Sequence, residues 1–503
     1  MSNYLAALLL CFQPANFILL LLCVLAGIIF GAIPGLNGSL GISLLLPLTF
    51  GMSTNASFGM LCGMYVGGVS GGFISAVLLG IPGTPSAIAT CYDGYPMSKR
   101  GEAARALSLG IIGSFIGEVF SVAIASCMCT FIADLALKLG PWEYFSLCAC
   151  AITLVAALSK ENMAKGMMAA AIGLLIGCIG LDPITGVPRF TFGEKNLTGG
   201  IDITALMLGA YALSQIAKSY ARGSQKLPDV KVDITGNGLI ASDFTSNIVT
   251  IVKALMVGLW IGFLPGMGSA LSNMVSYSFC KSTSKHPERF GTGCPEGILA
   301  SEVSNNAATG GALIPMISLG IPGDGATSLL LGALTIHGLT AGPLMMQQHP
   351  VTSYLFFAYM LVGAFIVLAV EMLAKRWFPY ILKIPYHYLY TAILVMCYVG
   401  SFTSTNTMFN VRVMIVIAVL ALFMDVARVP MSPLILAYIL SSSLEEYLRK
   451  GMTYSPEGAV TFVKRPLSLL FLLIALGCVI APVILPLIRK DKGKVANGSK
   501  LED

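Results

Sequence analysis

The chain has 503 residues, of which 56% are hydrophobic and 11% charged, where a soluble domain carries about 25% charged residues. No Asp, Glu, Lys, Arg or His precedes Asp93, so the first part of the chain builds no water-exposed surface, and a mean hydropathy of +0.82 describes a polytopic membrane protein. A net charge of +6 without a basic aromatic stripe argues against nucleic acid as a partner; basic residues in such a chain mark cytoplasmic loops instead.

A helix needs about 20 apolar residues to cross the hydrocarbon of a bilayer. Runs of that kind lie at 16–33, 56–81, 104–137, 142–159, 164–181 and 200–217, and a second series at 246–264, 298–320, 351–374, 385–401, 409–426 and 466–487. Shorter, polar-interrupted runs at 35–50, 266–280, 324–340 and 431–447 read as half-helices, re-entrant segments or tilted spans. The expected fold is an all-α polytopic membrane protein with about 10–14 membrane segments. The expected organisation is an N-terminal segment 1–15, a transmembrane repeat 16–217, a polar linker 218–245, a second repeat 246–465, a terminal transmembrane helix 466–487 and a basic, disordered tail 488–503. The N-terminus has no Lys or Arg before its apolar stretch, unlike a cleaved signal peptide.

The cysteines, such as Cys127 and Cys129 or Cys148 and Cys150, fall inside apolar runs and read as small apolar residues rather than disulfides or metal ligands. No phosphate loop of the G-x-x-x-x-G-K-[ST] kind is present, which excludes nucleotide hydrolysis by that route. Gly291-x-Gly293-x-x-x-Gly297 has dinucleotide-loop spacing, but it lies in a Pro-containing, charged connection without a βαβ pattern.

The two halves resemble each other. Gly31-Ala-Ile-Pro34-Gly35-Leu-Asn37-Gly38-Ser39 recurs as Gly262-Phe-Leu-Pro265-Gly266-Met-Gly268-Ser269, an offset of 231. Gly71-Gly72 followed by Leu79-Gly80-Ile-Pro82-Gly83 recurs as Gly310-Gly311 followed by Leu319-Gly320-Ile-Pro322-Gly323, at about 240, and Pro141-Trp-Glu-Tyr144 answers to Pro385-Tyr-His-Tyr388 at 244. Equivalent loops differ in charge: Lys99, Arg100 and Arg105 have no basic counterpart around 337–350, Lys281, Lys285 and Arg289 have none at 50–58, and Lys160 and Lys165 have none at 402–408. Under the positive-inside rule this places equivalent loops on opposite faces and describes two inverted repeats, although 218–231 and 449–465 are both basic.

Pro34-Gly35, Pro265-Gly266, Pro82-Gly83 and Pro322-Gly323 each break an apolar run. Proline removes a donor and glycine admits unusual backbone angles, so each break frees peptide groups that lipid cannot solvate. A helix restarting there aims free N–H groups and a positive dipole end at a cavity, which suits a carboxylate. Thr84, Ser86 and Asp324 add side-chain partners, and Glu302, Asn305 and Asn306 form a polar cluster expected to line a cavity and to hold Na+ or a coupling proton. Glu118 and Asp134 read as residues at a helix end or packed interface, and Glu371 and Asp425 as groups reaching water near segment ends.

At these motifs the sequence resembles the large membrane subunit of the tripartite tricarboxylate transporters. The resemblance rests on Pro34-Gly35-Leu-Asn37-Gly38, Gly80-Ile-Pro82-Gly83-Thr84-Pro85, Asp93-Gly94-Tyr95-Pro96-Met97 with Gly101 and Ala106-Leu107, Asp182-Pro183-Ile-Thr185-Gly186 and Arg189-Phe190-Thr191-Phe192-Gly193. It continues through Glu302 with Asn305-Asn306-Ala307, Gly310-Gly311, Gly320-Ile-Pro322-Gly323, and His337-Gly338 with Gly342-Pro343, covering about residues 16–465. It implies a multi-pass permease in a bacterial inner membrane, working with a small membrane subunit and a periplasmic or extracellular solute-binding protein to import organic carboxylates. It implies Na+ or H+ as coupling ion and no other cofactor. The expected substrate site comprises Gly35, Asn37, Gly38, Ser39, Gly83, Thr84, Ser86, Gly266, Gly268, Ser269, Asn305, Asn306, Gly323 and Asp324, with Asn305, Asn306, Glu302 and Asp324 as ion-coupling candidates and transport by alternating access. The competing readings are an integral membrane enzyme acting on a lipid-like substrate, which would need paired carboxylates or a Ser/His arrangement that the sequence lacks, and a passive anion channel.

Overall fold

The computed structural model describes residues 2–157, 163–182, 184–222, 234, 238, 240–382 and 386–480. Most of the expected polar linker, the turn at 158–162 and the tail 488–503 lie outside the described residues. In chain order the helices are α1 (Ser2–Cys11), α2 (Pro14–Ala32), α3 (Gly38–Leu45), α4 (Thr54–Ser70), α5 (Gly72–Leu79), α6 (Thr90–Met97), α7 (Ala103–Ala136), α8 (Pro141–Ala157) and α9 (Met163–Gly177). After a two-stranded antiparallel hairpin, β1 (Gly180–Leu181) and β2 (Pro188–Arg189), come α10 (Ile203–Met207), α11 (Ser214–Arg222), α12 (Ala241–Thr245), α13 (Ile248–Phe263), α14 (Gly268–Thr283), α15 (Pro295–Leu319) and α16 (Gly325–Ile336). The series ends with α17 (Pro343–Gln348), α18 (Pro350–Ala374), α19 (Phe378–Ile381), α20 (Tyr386–Thr405), α21 (Met408–Val426), α22 (Met431–Tyr454), α23 (Val460–Lys464) and α24 (Pro466–Ile480).

Among the described residues, five helical stretches are long and apolar enough to cross a membrane: Pro14–Ala32, Thr54–Leu79, Thr90–Ala136, Pro350–Ile381 and Met408–Val426. Shorter helices accompany them at the interrupted runs 35–50, 266–280 and 324–340, apolar in the first and last of these. The run 431–447 is the start of the 24-residue α22, too long for a half-helix and long enough for the tilted span among its expected readings, and its polar end continues as helix where Glu445–Arg449 and Glu446–Lys450 pair one turn apart. The run 200–217 is not one regular helix, since a wide turn at Leu208–Leu213 separates α10 from α11.

The chain forms two compact units that each draw on both halves of the sequence: residues 1–137 with 202–422, and residues 138–201 with 423–503. In the first unit α15 is the axis, and every residue from Gly297 to Ser318 is buried. It packs against α7, α13 and α14, while α2 packs against α4. Lipid tails are as apolar as the helices, so such packing rests on close backbone approach at small residues. Gly27 meets the Met64 carbonyl, Gly31 that of Gly68, Gly71 that of Ile28 and Gly83 that of Gly31, each closer than the 3.0 Å a Cβ would need. The second half makes the same four approaches: Gly258 to Ser304, Gly262 to Ala308, Gly311 to Leu259 and Gly323 to Gly262.

The second unit packs α8, α9 and α22 together. Asp182 holds its hairpin by accepting from the Ile184 and Thr185 N–H groups at 2.9 and 2.8 Å. Arg189 bridges Asp182 at 3.4 Å and makes a two-pronged bond to Glu445 at 2.8 and 3.0 Å, and Arg449 lies 2.9 Å from Asp182. The two backbone donors, aided by Arg449, hold the Asp182 carboxyl below the ordinary range for aspartate. The Asp182 and Arg189 motifs therefore tie the β1–β2 hairpin to the polar end of α22.

Candidate functional site

All of the sequence-selected site residues fall in the first unit. The four breaks form as the prolines dictate. Ile33 and Leu264, each preceding a proline, leave the helix for extended backbone (φ −84°, ψ 115° and φ −78°, ψ 124°) because the proline ring disfavours helical geometry before it. Gly80 and Gly320 end α5 and α15 in the left-handed region, at φ 68° and 72°, a conformation only glycine adopts without cost.

The restarts meet around Asp324. A Cβ on Gly325 would lie 3.1 Å from the Tyr211 hydroxyl and 3.6 Å from Ser39 Oγ, so the α16 and α3 starts face each other. Gly268, opening α14 at φ 62°, lies against the Asp324 Cβ at 3.0 Å from its own would-be Cβ. The Tyr65 hydroxyl on α4 donates to Asp324 Oδ2 at 2.6 Å. Ser39, Gly268, Asp324 and Gly325 are thus brought together from both halves, with Tyr65 and Tyr211 added.

The side chains expected to reach a ligand are partly engaged already. Asn37 Oδ1 accepts from the Leu40 N–H at 2.8 Å and caps α3. Asp324 caps α16 reciprocally with Thr327, accepting its N–H at 2.7 Å. Each cap stabilises its helix by about 1 kcal/mol and fixes the break. The α14 start, by contrast, has no side-chain cap at Met267.

Other selected residues stand apart from this centre. Gly35 is exposed at φ 93°, and its carbonyl accepts from Gln215 Nε2 at 2.9 Å. Gly38 sits on Gly68, and Gly83 and Gly323 are used in backbone packing. Thr84 lies over Gly72 and shares a 2.9 Å bond with Ser86. Gly266 supplies a left-handed turn at φ 73°, and Ser269, one residue into α14, is half-buried.

Glu302, Asn305 and Asn306 lie fully buried on α15. Glu302 accepts from Thr90, from Ser114 at 3.2 Å and from Asn305 Nδ2 at 3.3 Å. Asn306 accepts from Ser70 Oγ at 2.9 Å, linking α15 to α4. Glu118 is not at a helix end but in mid-α7, receiving the Thr309 hydroxyl at the packed interface with α15. Glu371 does not reach water; it is 0% exposed. The Gly291–Gly293 loop does form an anion cradle, but its ligand belongs to the protein: Asp93 Oδ1 accepts from the Gly291, Gly293 and Cys294 N–H groups at 2.9, 2.8 and 2.9 Å. Tyr65, Tyr211, Ser70, Ser114 and Thr90 were not legible as site residues, because nothing in their local sequence marks the partners they meet 100 or more residues away.

Apolar helices interrupted at Pro-Gly turns, with polar side chains near the interruptions, fit a multi-pass helical membrane protein of transporter type. The chain belongs to the tripartite tricarboxylate transporter TctA family, whose model matches residues 17–436. It is 33% identical over 482 residues, 96% of each chain, to an "uncharacterized 52.8 kDa protein in TAR-I ttuC' 3'region" of Agrobacterium vitis. It is also 34% identical over 238 residues to an "uncharacterized protein in TAR-II ttuC' 3'region" of the same organism, covering 47% of this chain and 98% of that one. No solved structure matches. Membership makes the chain the membrane subunit of a tricarboxylate transport system and sets it in a transporter family rather than an enzyme family.

Proposed function

We propose that this chain is the permease subunit of a secondary, binding-protein-dependent uptake system for tricarboxylates or related organic acid anions in a bacterial inner membrane. It works with a small membrane subunit and a periplasmic solute-binding protein, and is coupled to Na+ or H+. The observation that carries the reading is the meeting of the α3, α14 and α16 starts at Ser39, Gly268 and Gly325. Uncapped N–H groups of α14 and the Ser39 and Tyr211 hydroxyls receive carboxylate oxygens, while Asp324, already a cap, orients the pocket rather than meeting the anion.

The two halves act as inverted repeats that rock against each other in alternating access. Support comes from the four glycine approaches, which recur at an offset of 231 at Gly258 and Gly262 on α13 and of 240 at Gly311 on α15 and Gly323 after it, and from the opposed loop charges. These contacts pair Gly71 with Gly311, one residue later than the sequence motif alone would align it.

Reconstitution with the two partner subunits and a panel of labelled carboxylates, with and without a Na+ gradient, tests the reading. Uptake of at least one tricarboxylate that falls in Ser39→Ala and Tyr211→Phe supports it. Uptake unchanged by both substitutions rejects the site.

A further inference from the structure

The interface of α7 with α15 carries a polar seam that the carboxylate site does not use. On α15, Glu302, Asn305, Asn306 and Thr309 occupy positions three, four and seven residues apart, which lie on one helix face. On α7, Ser114, Glu118 and Ser121 follow the same spacing. The helices run parallel and close: Gly113 lies beside Glu302, Gly117 beside Val303 and Ala307, and Ser121 beside Gly310. Ser114 joins Glu302 at one level of the seam, and Thr309 joins Glu118 at the next, with Asn305 between them in the α15 sequence.

Two buried acceptors of this seam stay open. Asn305 gives one Nδ2 hydrogen to Glu302, and Asn306 gives one to the Glu302 carbonyl and accepts from Ser70 on Oδ1. Among the described residues, Glu118 Oε1 and Asn305 Oδ1 have no partner, although their residues are 1% and 0% exposed. Buried acceptors of this kind require a donor or a cation. The Thr309 hydroxyl oxygen keeps lone pairs beside them. One carboxylate with neutral oxygens suits a single positive charge, and oxygen donors suit a hard ion; among the described residues no group of three His, Cys, Asp or Glu exists for a divalent metal.

We propose that Glu118, Asn305 and Thr309 bind a dehydrated monovalent metal cation of the Na+ class between α7 and α15, separate from the carboxylate site. The role rests on the permease reading, but the binding does not. Occupancy draws α7 onto Asn305; the next residue, Asn306, holds Ser70 on α4, and Tyr65 on the same helix holds Asp324. The cation thereby sets the register of the helices that orient the carboxylate pocket.

The test is thermal unfolding of the purified full chain in lipid nanodiscs, without carboxylate, in NaCl or choline chloride at equal ionic strength. Saturable stabilisation by Na+ over choline is expected. Glu118→Gln and Asn305→Leu should raise the half-saturating Na+ concentration about tenfold or more, and Thr309→Val should weaken it while Thr309→Ser retains it. The Thr309 pair decides the matter if Glu118→Gln fails to fold. Equal melting in Na+ and choline, or a folded Glu118→Gln with wild-type Na+ dependence, overturns the proposal; either would leave the seam holding water or a proton. A chain that binds Na+ here yet moves no carboxylate with its partners rejects the permease reading alone, and one that moves carboxylate without this Na+ effect rejects the cation site alone.

Discussion

Replacing Asp93 by alanine should strongly destabilise the first unit. The Asp93 side chain is 0% exposed and fills the cradle before α15, accepting three backbone N–H groups on Oδ1 and the Tyr277 hydroxyl on Oδ2 at 2.8 Å. Of these donors, Gly293 and Tyr277 are buried and cannot turn to water, whereas Gly291 is exposed. At about 1–3 kcal/mol for each buried group left unpaired, Asp93→Ala costs about 2–6 kcal/mol. That is a large share of the roughly 5–15 kcal/mol that holds a typical native protein together. Asp93→Asn keeps the oxygen that fills the cradle and offers its amide to the tyrosine oxygen, so it should cost no more than about 1 kcal/mol. Unfolding of the two variants in mixed micelles, followed by tryptophan fluorescence, separates them. An alanine variant as stable as the wild type, or an asparagine variant as damaged as the alanine one, refutes this account of the cradle.

Tyr65→Phe removes the 2.6 Å bond to Asp324; it should cost about 1 kcal/mol of stability and raise the carboxylate concentration for half-maximal uptake, while an unchanged uptake curve would place Tyr65 outside the pocket. Gly71→Ala and Gly311→Ala each drive a methyl into a backbone carbonyl, so both should destabilise by about 1–3 kcal/mol and lower the yield of monodisperse protein alike; tolerance at one position and collapse at the other would break their equivalence. The lowered Asp182 value gives a pH signature in the second unit. Its contribution is complete above the unfolded value of about 3.9 and is lost as pH falls through the lower folded value. Asp182→Asn should therefore destabilise at neutral pH and flatten the acid limb of a stability curve, and a variant with the wild-type acid limb would contradict the role given to Asp182.

The sequence discloses the helix breaks well because their causes are local. A proline forces Ile33 and Leu264 out of the helix, and Gly80 and Gly320 accept the left-handed turn, whatever surrounds them. The polar face of α15 is legible for the same reason, since Glu302, Asn305, Asn306 and Thr309 share a helical period. What those faces meet is set by tertiary packing. Tyr65 lies in an uncharged stretch where nothing marks it, and its partner Asp324 is 259 residues away. Glu371 shows how position within a run misleads, since it reads as a group reaching water near a segment end and is fully enclosed, whereas Glu118, read as lying at a helix end or packed interface, sits at the interface in mid-helix. Asn37 and Asp324 show a different limit, since a polar residue at a helix start serves equally as a cap or as a ligand, and only the 2.8 and 2.7 Å bonds to Leu40 and Thr327 reveal the cap.

The central claim is that helix starts from both halves converge on one carboxylate pocket. Uptake of labelled tricarboxylate by proteoliposomes, with the proposed partner subunits added, tests it most directly, comparing wild type with Ser39→Leu, at the α3 start, and Gly325→Leu, at the α16 start, where Ser39 Oγ lies 3.6 Å from the position of a Cβ on Gly325. The account predicts that each bulky side chain abolishes uptake while the protein remains folded and still associates with its small membrane partner. Wild-type uptake by either folded variant would contradict it.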